Sequence, residues 1–355
     1  MTKNVADYRC ILRTVICLAA VTVASVACAQ QIAWHDCKEI GVEGKGFTDT
    51  PGFYDRIPAR YEGKVSPNVW NLSHNSAGIC VRFTTNAPAI DVRWTVNSNT
   101  LSMSHMPATG VSGVDLYAKI DGCWKFVAVG MPPAVTNSAH FGLPSAEQYL
   151  LYLPLYNGLK SVEIGIPQGA KIAAAKISDA IKPIVVYGTS ITQGGCASRP
   201  GMAWTSIVGR KLNVPVINLG FSGSGLMEPV MSDLLLELDP SVYVLDCIWN
   251  MSPQLVAERV EPFVKKLRAA RPETPILLAE DCQFQDVSPT EKGKILRDVY
   301  KKLTADGVKK VYFLSNKGML GTDCEGTVDG CHPNDLGMLR IADVFTATLR
   351  PLLKN

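Results

Sequence analysis

The chain changes rhythm near residue 180, and that change restricts its possible folds more than any other feature. From Ile184 onward, short β-branched runs alternate with helical patterns. Strands are predicted at 184–187, 216–219, 242–246, 276–279 and 311–314, with helices at 204–212, 227–238, 254–270, 289–306 and 334–353. Such alternation needs right-handed crossovers, so it predicts an α/β unit, a largely parallel sheet flanked by helices on both faces. Upstream there are only short extended runs, at 79–83, 89–96, 113–120, 124–129, 149–155 and 161–166, separated by turn residues. Asp121-Gly122 and Asn157-Gly158 sit between apolar runs as hairpin or turn signals. Spacing of this kind predicts an antiparallel jelly roll or sandwich. Gly169, the Ala173-Ala174-Ala175 run and Lys182-Pro183 mark the junction, and the alanine run could still be a strand packing on the second domain. The expected domains are therefore an all-β sandwich over 30–175 and an α/β domain over 176–355.

Residues 1–29 have a different character. Lys3, Arg9 and Arg13 precede an apolar run over 14–24, and Ala27-Cys28-Ala29 follows before Gln30. That is the pattern of an export signal cleaved after Ala29, too short for a membrane span and ended by small residues. A lipoprotein route through Cys28 ranks second, because Ser25 stands where such signals carry an aliphatic residue. The expected location is periplasmic or secreted, with no stable membrane insertion once the signal is removed. The formal charge is +3, of which the leader supplies a surplus of two. A near-neutral mature chain with no basic cluster gives nucleic acid nothing to bind. Of eleven cysteines, Cys10, Cys17 and Cys28 leave with the signal, and eight remain: Cys37, Cys80, Cys123, Cys196, Cys247, Cys282, Cys324 and Cys331. An oxidising compartment permits disulfides, and a Cys324–Cys331 bond could brace the intervening loop, whereas Cys247 lies inside a strand pattern and reads as a buried thiol. No Cys-x-x-Cys or His-Glu-x-x-His spacing supports a metal site, and no cofactor is expected.

Two stretches carry chemistry. In Gly188-Thr189-Ser190, a strand feeds a tight turn that lifts a serine to the carboxyl end of the predicted sheet, where open α/β sheets place ligands. Near the chain end, Asp329-Gly330-Cys331-His332 offers an imidazole with a carboxylate three residues before it. Each residue also has a plain structural reading: Ser190 as a helix cap, Asp329 as a turn residue, His332 as a cap of the helix near Asn334. The α/β-hydrolase elbow Gly-x-Ser-x-Gly is absent, since Thr192 stands where its second glycine would be.

Together the two stretches resemble the SGNH (GDSL-type) hydrolase family. Two further blocks lie between them in that family's order: Asn218-Leu219-Gly220-Phe221-Ser222-Gly223-Ser224 and Asp246-Cys247-Ile248-Trp249-Asn250. Thr189 stands where the family often has Asp, and Ile248 where it often has Gly. Earlier, Gly113-Val114-Asp115-Leu116-Tyr117 resembles the GxDLY signature of a β-rich domain that precedes SGNH domains in some exported bacterial hydrolases. The resemblance implies an SGNH-type parallel sheet flanked by helices, preceded by the all-β domain. It implies nucleophile Ser190, base His332, orienting Asp329, and an oxyanion hole from the Ser190 and Gly223 backbone N–H groups and the Asn250 amide. The implied reaction is ester hydrolysis through an acyl-enzyme. His35, His74, His105 and His140 lack catalytic spacing and are expected at structural or surface positions, although one could line the cleft.

The substrate is less sharply indicated. Export, a sandwich partner and an aromatic residue such as Trp249 beside the site favour an acylated carbohydrate, with loss of an O-acetyl group as the expected reaction. A lipid or aryl esterase and a catalytically silent glycan-binding protein are the alternatives.

Overall fold

The computed structural model describes residues 31–175, 177, 180–282 and 289–353. The expected leader, its cleavage point after Ala29 and Cys28 all lie outside the described residues. In the amino-terminal half, β1 (Ile32–Asp36), β2 (Cys80–Thr85), β3 (Ala89–Val96), β4 (Val114–Ile120), β5 (Cys123–Gly130), β6 (Thr136–Gly142), β7 (Gln148–Tyr152), β8 (Leu159–Pro167) and β9 (Ile172–Ala174) form two antiparallel sheets. Their orders are β1-β8-β3-β6 and β5-β4-β7-β2-β9. Alternation sets the inner face: in β3, Ile90, Val92, Trp94 and Val96 are buried while the residues between them are not. They meet Val81, Phe83, Leu116, Leu151 and Ile164 from neighbouring strands in one core. Asp121 and Gly122, both at positive φ (52° and 73°), close the β4–β5 hairpin as a two-residue loop. The alanine run does form a strand, but β9 pairs with β2 at the edge of the sandwich rather than packing on the second domain.

The carboxy-terminal half carries β10 (Ile184–Gly188), β11 (Val216–Gly220), β12 (Val242–Asp246), β13 (Ile276–Ala279) and β14 (Val311–Leu314), all parallel, in the order β11-β10-β12-β13-β14. Every residue of β10 is buried, as a strand covered on both faces requires. Val185 and Tyr187 face one core, built with α6 (Pro229–Leu236), α7 (Pro253–Ala270) and α8 (Glu291–Ala305). Ile184 and Val186 face the other, with α5 (Trp204–Leu212) and α9 (Asp335–Leu352), where Trp204 stacks on Phe345 at 4.2 Å. Among the described residues there are also four α-helices of one or two turns: α1 (Cys37–Ile40), α2 (Pro67–Ser73), α3 (Ala108–Val111) and α4 (Ser190–Gln193).

The segment between α1 and β2 contributes to the second half. Phe47, Ile57, Tyr61, Val65 and Val69 are buried among Ile217, Leu219, Leu234 and Leu235, each burial stabilising the join by roughly 1.5–3 kcal/mol. The described residues from Ile32 onward consequently cluster as one compact unit. All eight remaining cysteines are unpaired thiols: no Cys324–Cys331 bond forms, and Cys247 is fully buried.

Candidate active site

Strand order places the site. β11 and β12 flank β10 on opposite sides, and the register aligns Gly188 with Gly220 on one neighbour and Asp246 on the other. The chain reverses its direction of growth at β10, which opens a crevice at the carboxyl ends of these strands. Ser190, Gly223 and Asn250 follow them by two, three and four residues from that aligned row.

Each loop is built by specific contacts. A Cβ at Gly188 would lie 2.0 Å from the Thr192 hydroxyl, so only glycine lets the chain turn directly into α4. Thr189 caps that helix, its hydroxyl accepting from the Ile191 N–H, and so does part of what an acidic residue there would do. At Gly220 a Cβ would meet the Gln193 nitrogen at 2.2 Å, and this close approach packs α4 onto β11. The Gln193 carboxamide accepts from the Ser222 N–H at 3.1 Å, and the Asn250 Oδ1 accepts from the Gly225 N–H at 3.3 Å. The oxygen of Asn250 is thus engaged, leaving its NH2 as the end available to a ligand. Gly223 sits at φ 68°, with open space around it.

Ser190, 6% exposed, lies with its Oγ 3.0 Å from His332 Nε2, and His332 Nδ1 is 2.7 Å from Asp329 Oδ2. The other carboxylate oxygen accepts from the backbone N–H groups of His332 (2.7 Å) and Cys331 (3.0 Å). Partial burial pushes the Asp329 carboxyl up, but the hydrogen bonds from the His332 ring and from the two N–H groups outweigh it and hold the pKa at about 2. Gly330, at φ 85°, makes the turn, and the Val328 N–H donates to the His332 carbonyl. Asn334, not His332, caps α9, with its side chain accepting from Gly337. Asp329 is a turn residue and an imidazole partner at once.

Several contributors carry no catalytic signature in the sequence. His105, on a sandwich loop held by the Met103–Met106 bridge, places its ring 5.5 Å from that of His332, so the sandwich reaches the cleft. The other three lie away from it: His74 pairs with Asp55, His140 with Asp91, and His35 lies in β1. Buried Arg56 donates to the carbonyls of Asn218 and Gly220, bracing the end of β11. Lys292 donates to the carbonyls of Ile248 and Trp249, bracing the loop before Asn250. In the GxDLY stretch, Asp115 accepts from Arg199 (2.6 Å) and from the Gly201 N–H (2.8 Å), while Thr109 donates to the Ser198 carbonyl. Ser198 in turn donates to Asp335, and the Cys196 N–H to the Pro333 carbonyl. The sandwich therefore grips the loop that grips the histidine segment.

Trp249 is half-buried against the α5–α9 core, with its side chain bonded to the carboxylate of Asp246. Burial drives the Asp246 carboxyl up, Asp281 pushes it further, and donation from Thr192 (2.7 Å) and Trp249 offsets part of this, leaving a pKa of about 7. Between the unfolded value near 4 and this one, the proton is bound only in the folded state, so this group's contribution to stability falls as pH rises through that window. Asp246→Asn should remove that slope. Measured by urea unfolding, the variant's stability relative to the parent should rise between pH 5 and pH 8, by up to about 3 kcal/mol. An unchanged difference would mean that the carboxyl is ionised throughout.

Residues 181–350 match the model of the GDSL-like lipase/acylhydrolase family, and residues 32–172 match the GxDLY model, the N-terminus of SGNH hydrolase-type esterases. None of the curated proteins matches the chain. Among solved structures, a Bacteroides ovatus protein of the GDSL-like lipase type is 36% identical, with 91% of this chain and 98% of that chain covered and a TM-score of 0.84. Salicylyl-acyltransferase SsfX3 from a tetracycline biosynthetic pathway is 18% identical over 90% of this chain and 97% of its own, with a TM-score of 0.72. A family two carbohydrate esterase from Clostridium thermocellum, in complex with cellohexaose, is 16% identical over 78% of this chain and 92% of its own, with a TM-score of 0.52. The last two likenesses are of fold.

Proposed function

The chain belongs to the GDSL-like lipase/acylhydrolase family, with the amino-terminal GxDLY domain of SGNH esterases, and from that premise we propose that the ester it hydrolyses is an O-acetyl group on carbohydrate, outside the cytoplasm. The observation that carries the chemistry is the relay from Ser190 Oγ through His332 to Asp329, at 3.0 and 2.7 Å. A neutral hydroxyl is a weak nucleophile. His332 takes its proton as Oγ attacks the acyl carbonyl, then returns a proton to the departing sugar hydroxyl. Asp329, ionised, fixes the proton on Nδ1 and balances the imidazolium that forms. The tetrahedral oxyanion is met by the N–H groups of Ser190 and Gly223 and by the Asn250 amide, each donor worth roughly 3–4 kcal/mol at the transition state. Water then attacks the acyl-enzyme by the same route.

Carbohydrate as the acyl carrier is supported by the two-part architecture shared with the family two carbohydrate esterase, and by the leader pattern of residues 1–29. Trp249 does not present its whole ring to a ligand, so a sugar would rest on its outer edge and on the sandwich loop around His105. The test is acetate release from acetylated oligosaccharides, beside hydrolysis of 4-nitrophenyl esters of increasing chain length. Acetate should be released, and the rate on the synthetic esters should fall as the acyl chain lengthens. Faster hydrolysis of long chains would replace this reading with a lipid esterase. No turnover of any ester would leave a glycan-binding protein.

A further inference from the structure

We propose that His105, Cys196 and His332 form a binding site for a borderline-soft divalent cation, zinc above all, and that an ion held there silences the serine. The binding half stands on geometry alone; the silencing half rests on the function proposed above. One ligand atom from each of the three residues lies within 4.8 Å of the other two, and this is the one such group of His, Cys or acidic residues among the described residues. The three come from separate parts of the chain, which is why no local spacing announces them.

The donors are held in place before any ion arrives. His332 spends Nδ1 on Asp329, so Nε2 is the coordinating atom, which would exchange its contact with Ser190 Oγ for the ion, and a carboxylate behind the far nitrogen is the arrangement that orients histidines on metals. Cys196 is 4% exposed, and its backbone N–H is tied to the Pro333 carbonyl at 3.0 Å, beside His332. His105 is exposed and stands on the short loop closed by the Met103–Met106 bridge. Ligand atoms around tetrahedral zinc sit about 3.3–3.8 Å apart, so the trio would close by at most about 1.5 Å, with His105 the exposed member of the three. Two imidazoles and a thiolate suit zinc or copper and have little affinity for magnesium or calcium. On binding, the Cys196 thiol gives its proton to solvent and a metal–sulfur bond forms; both histidines coordinate as neutral rings. The ion then occupies the Nε2 lone pair that otherwise receives the Ser190 proton. Ester hydrolysis stops without any change of fold.

The experiment is zinc titration of the mature protein by calorimetry, with magnesium as the control, repeated on His105→Ala and Cys196→Ser. One zinc per chain should bind and magnesium should not, and each variant should bind at least about tenfold more weakly. His105 is exposed, so its variant keeps the test valid if the buried cysteine variant folds poorly. Cobalt should give a thiolate charge-transfer absorption that Cys196→Ser lacks. Zinc should also inhibit 4-nitrophenyl acetate hydrolysis reversibly to a chelator, with the half-inhibitory concentration raised about tenfold or more in His105→Ala relative to that variant's own uninhibited rate. Absence of zinc binding, or equal affinity in His105→Ala, would overturn the site. Bound zinc with undiminished turnover would overturn the silencing. A protein that binds zinc as described but hydrolyses no ester would keep the site and discard the esterase.

Discussion

Ser190→Ala should lower kcat on any ester this protein turns over by about a million-fold, leaving only what the oxyanion donors and binding provide. The expectation follows from where the hydroxyl stands. Ser190 Oγ is the hydroxyl 3.0 Å from His332 Nε2. The neighbouring Cys196 cannot take over, because burial, with Asp329 and Cys331 adding to it, pushes its thiol up to about 12 and keeps it neutral. His332→Ala should cost as much, and the double variant no more than either alone, since nucleophile and base act as one unit. The measurement is kcat on 4-nitrophenyl acetate, with circular dichroism and a urea midpoint as checks of folding. Removing one oxygen from a small side chain should leave that midpoint nearly unmoved. Multiplicative losses in the double variant, or parental activity in Ser190→Ala, would place the chemistry elsewhere.

The parts of the fold that were legible in the sequence are those whose local pattern matches their final environment. β12 and β13 run through the middle of a sheet covered on both faces and read as largely apolar runs, β14 at the edge is just as apolar, and the ends of all three are where the pattern puts them. The strands that were missed or misassigned, β1, β6 and β9, are all edges of the sandwich. β6 buries only Asn137 and Phe141, and a polar edge carries no alternation to detect. β5 is also an edge, but the Asp121-Gly122 turn gave it away. The segment holding Phe47, Ile57 and Tyr61 was illegible for another reason: its apolar residues are spaced to fit the surface of the α/β half, not a period of their own. The same division runs through the site. Ser190, Asp329 and His332 sit in short turns whose chemistry is written locally. His105, Arg56 and Lys292 act through tertiary contacts that no spacing encodes, and Asp115, though part of the GxDLY stretch, acts through contacts with Arg199 and Gly201 that the stretch itself does not announce.

Asp329→Asn should cost less than loss of Ser190 or His332, yet still about ten-thousand-fold in kcat, for a reason the hydrogen bonds make specific. Asp329 Oδ1 accepts from two backbone N–H groups, of His332 and Cys331. Those donors hold an oxygen on that side, so in the asparagine variant the NH2 must take the position facing His332 Nδ1. Two donors cannot share a hydrogen bond, and the imidazole proton is driven from Nδ1 to Nε2. Nε2 then points a hydrogen at Ser190 instead of a lone pair, and no base remains. The fold should be intact, because both backbone contacts survive the exchange. The carboxylate itself, with its pKa held at about 2, stays charged across the pH range in which an esterase is assayed, so it should add no inflection to the parent's pH–rate profile. Single-turnover rates of acylation for the parent, Asp329→Asn and His332→Ala would rank the three. A loss of less than about tenfold in Asp329→Asn would show that solvent reaching this 39% exposed side chain, rather than the charge of the carboxylate, keeps the imidazole proton on Nδ1.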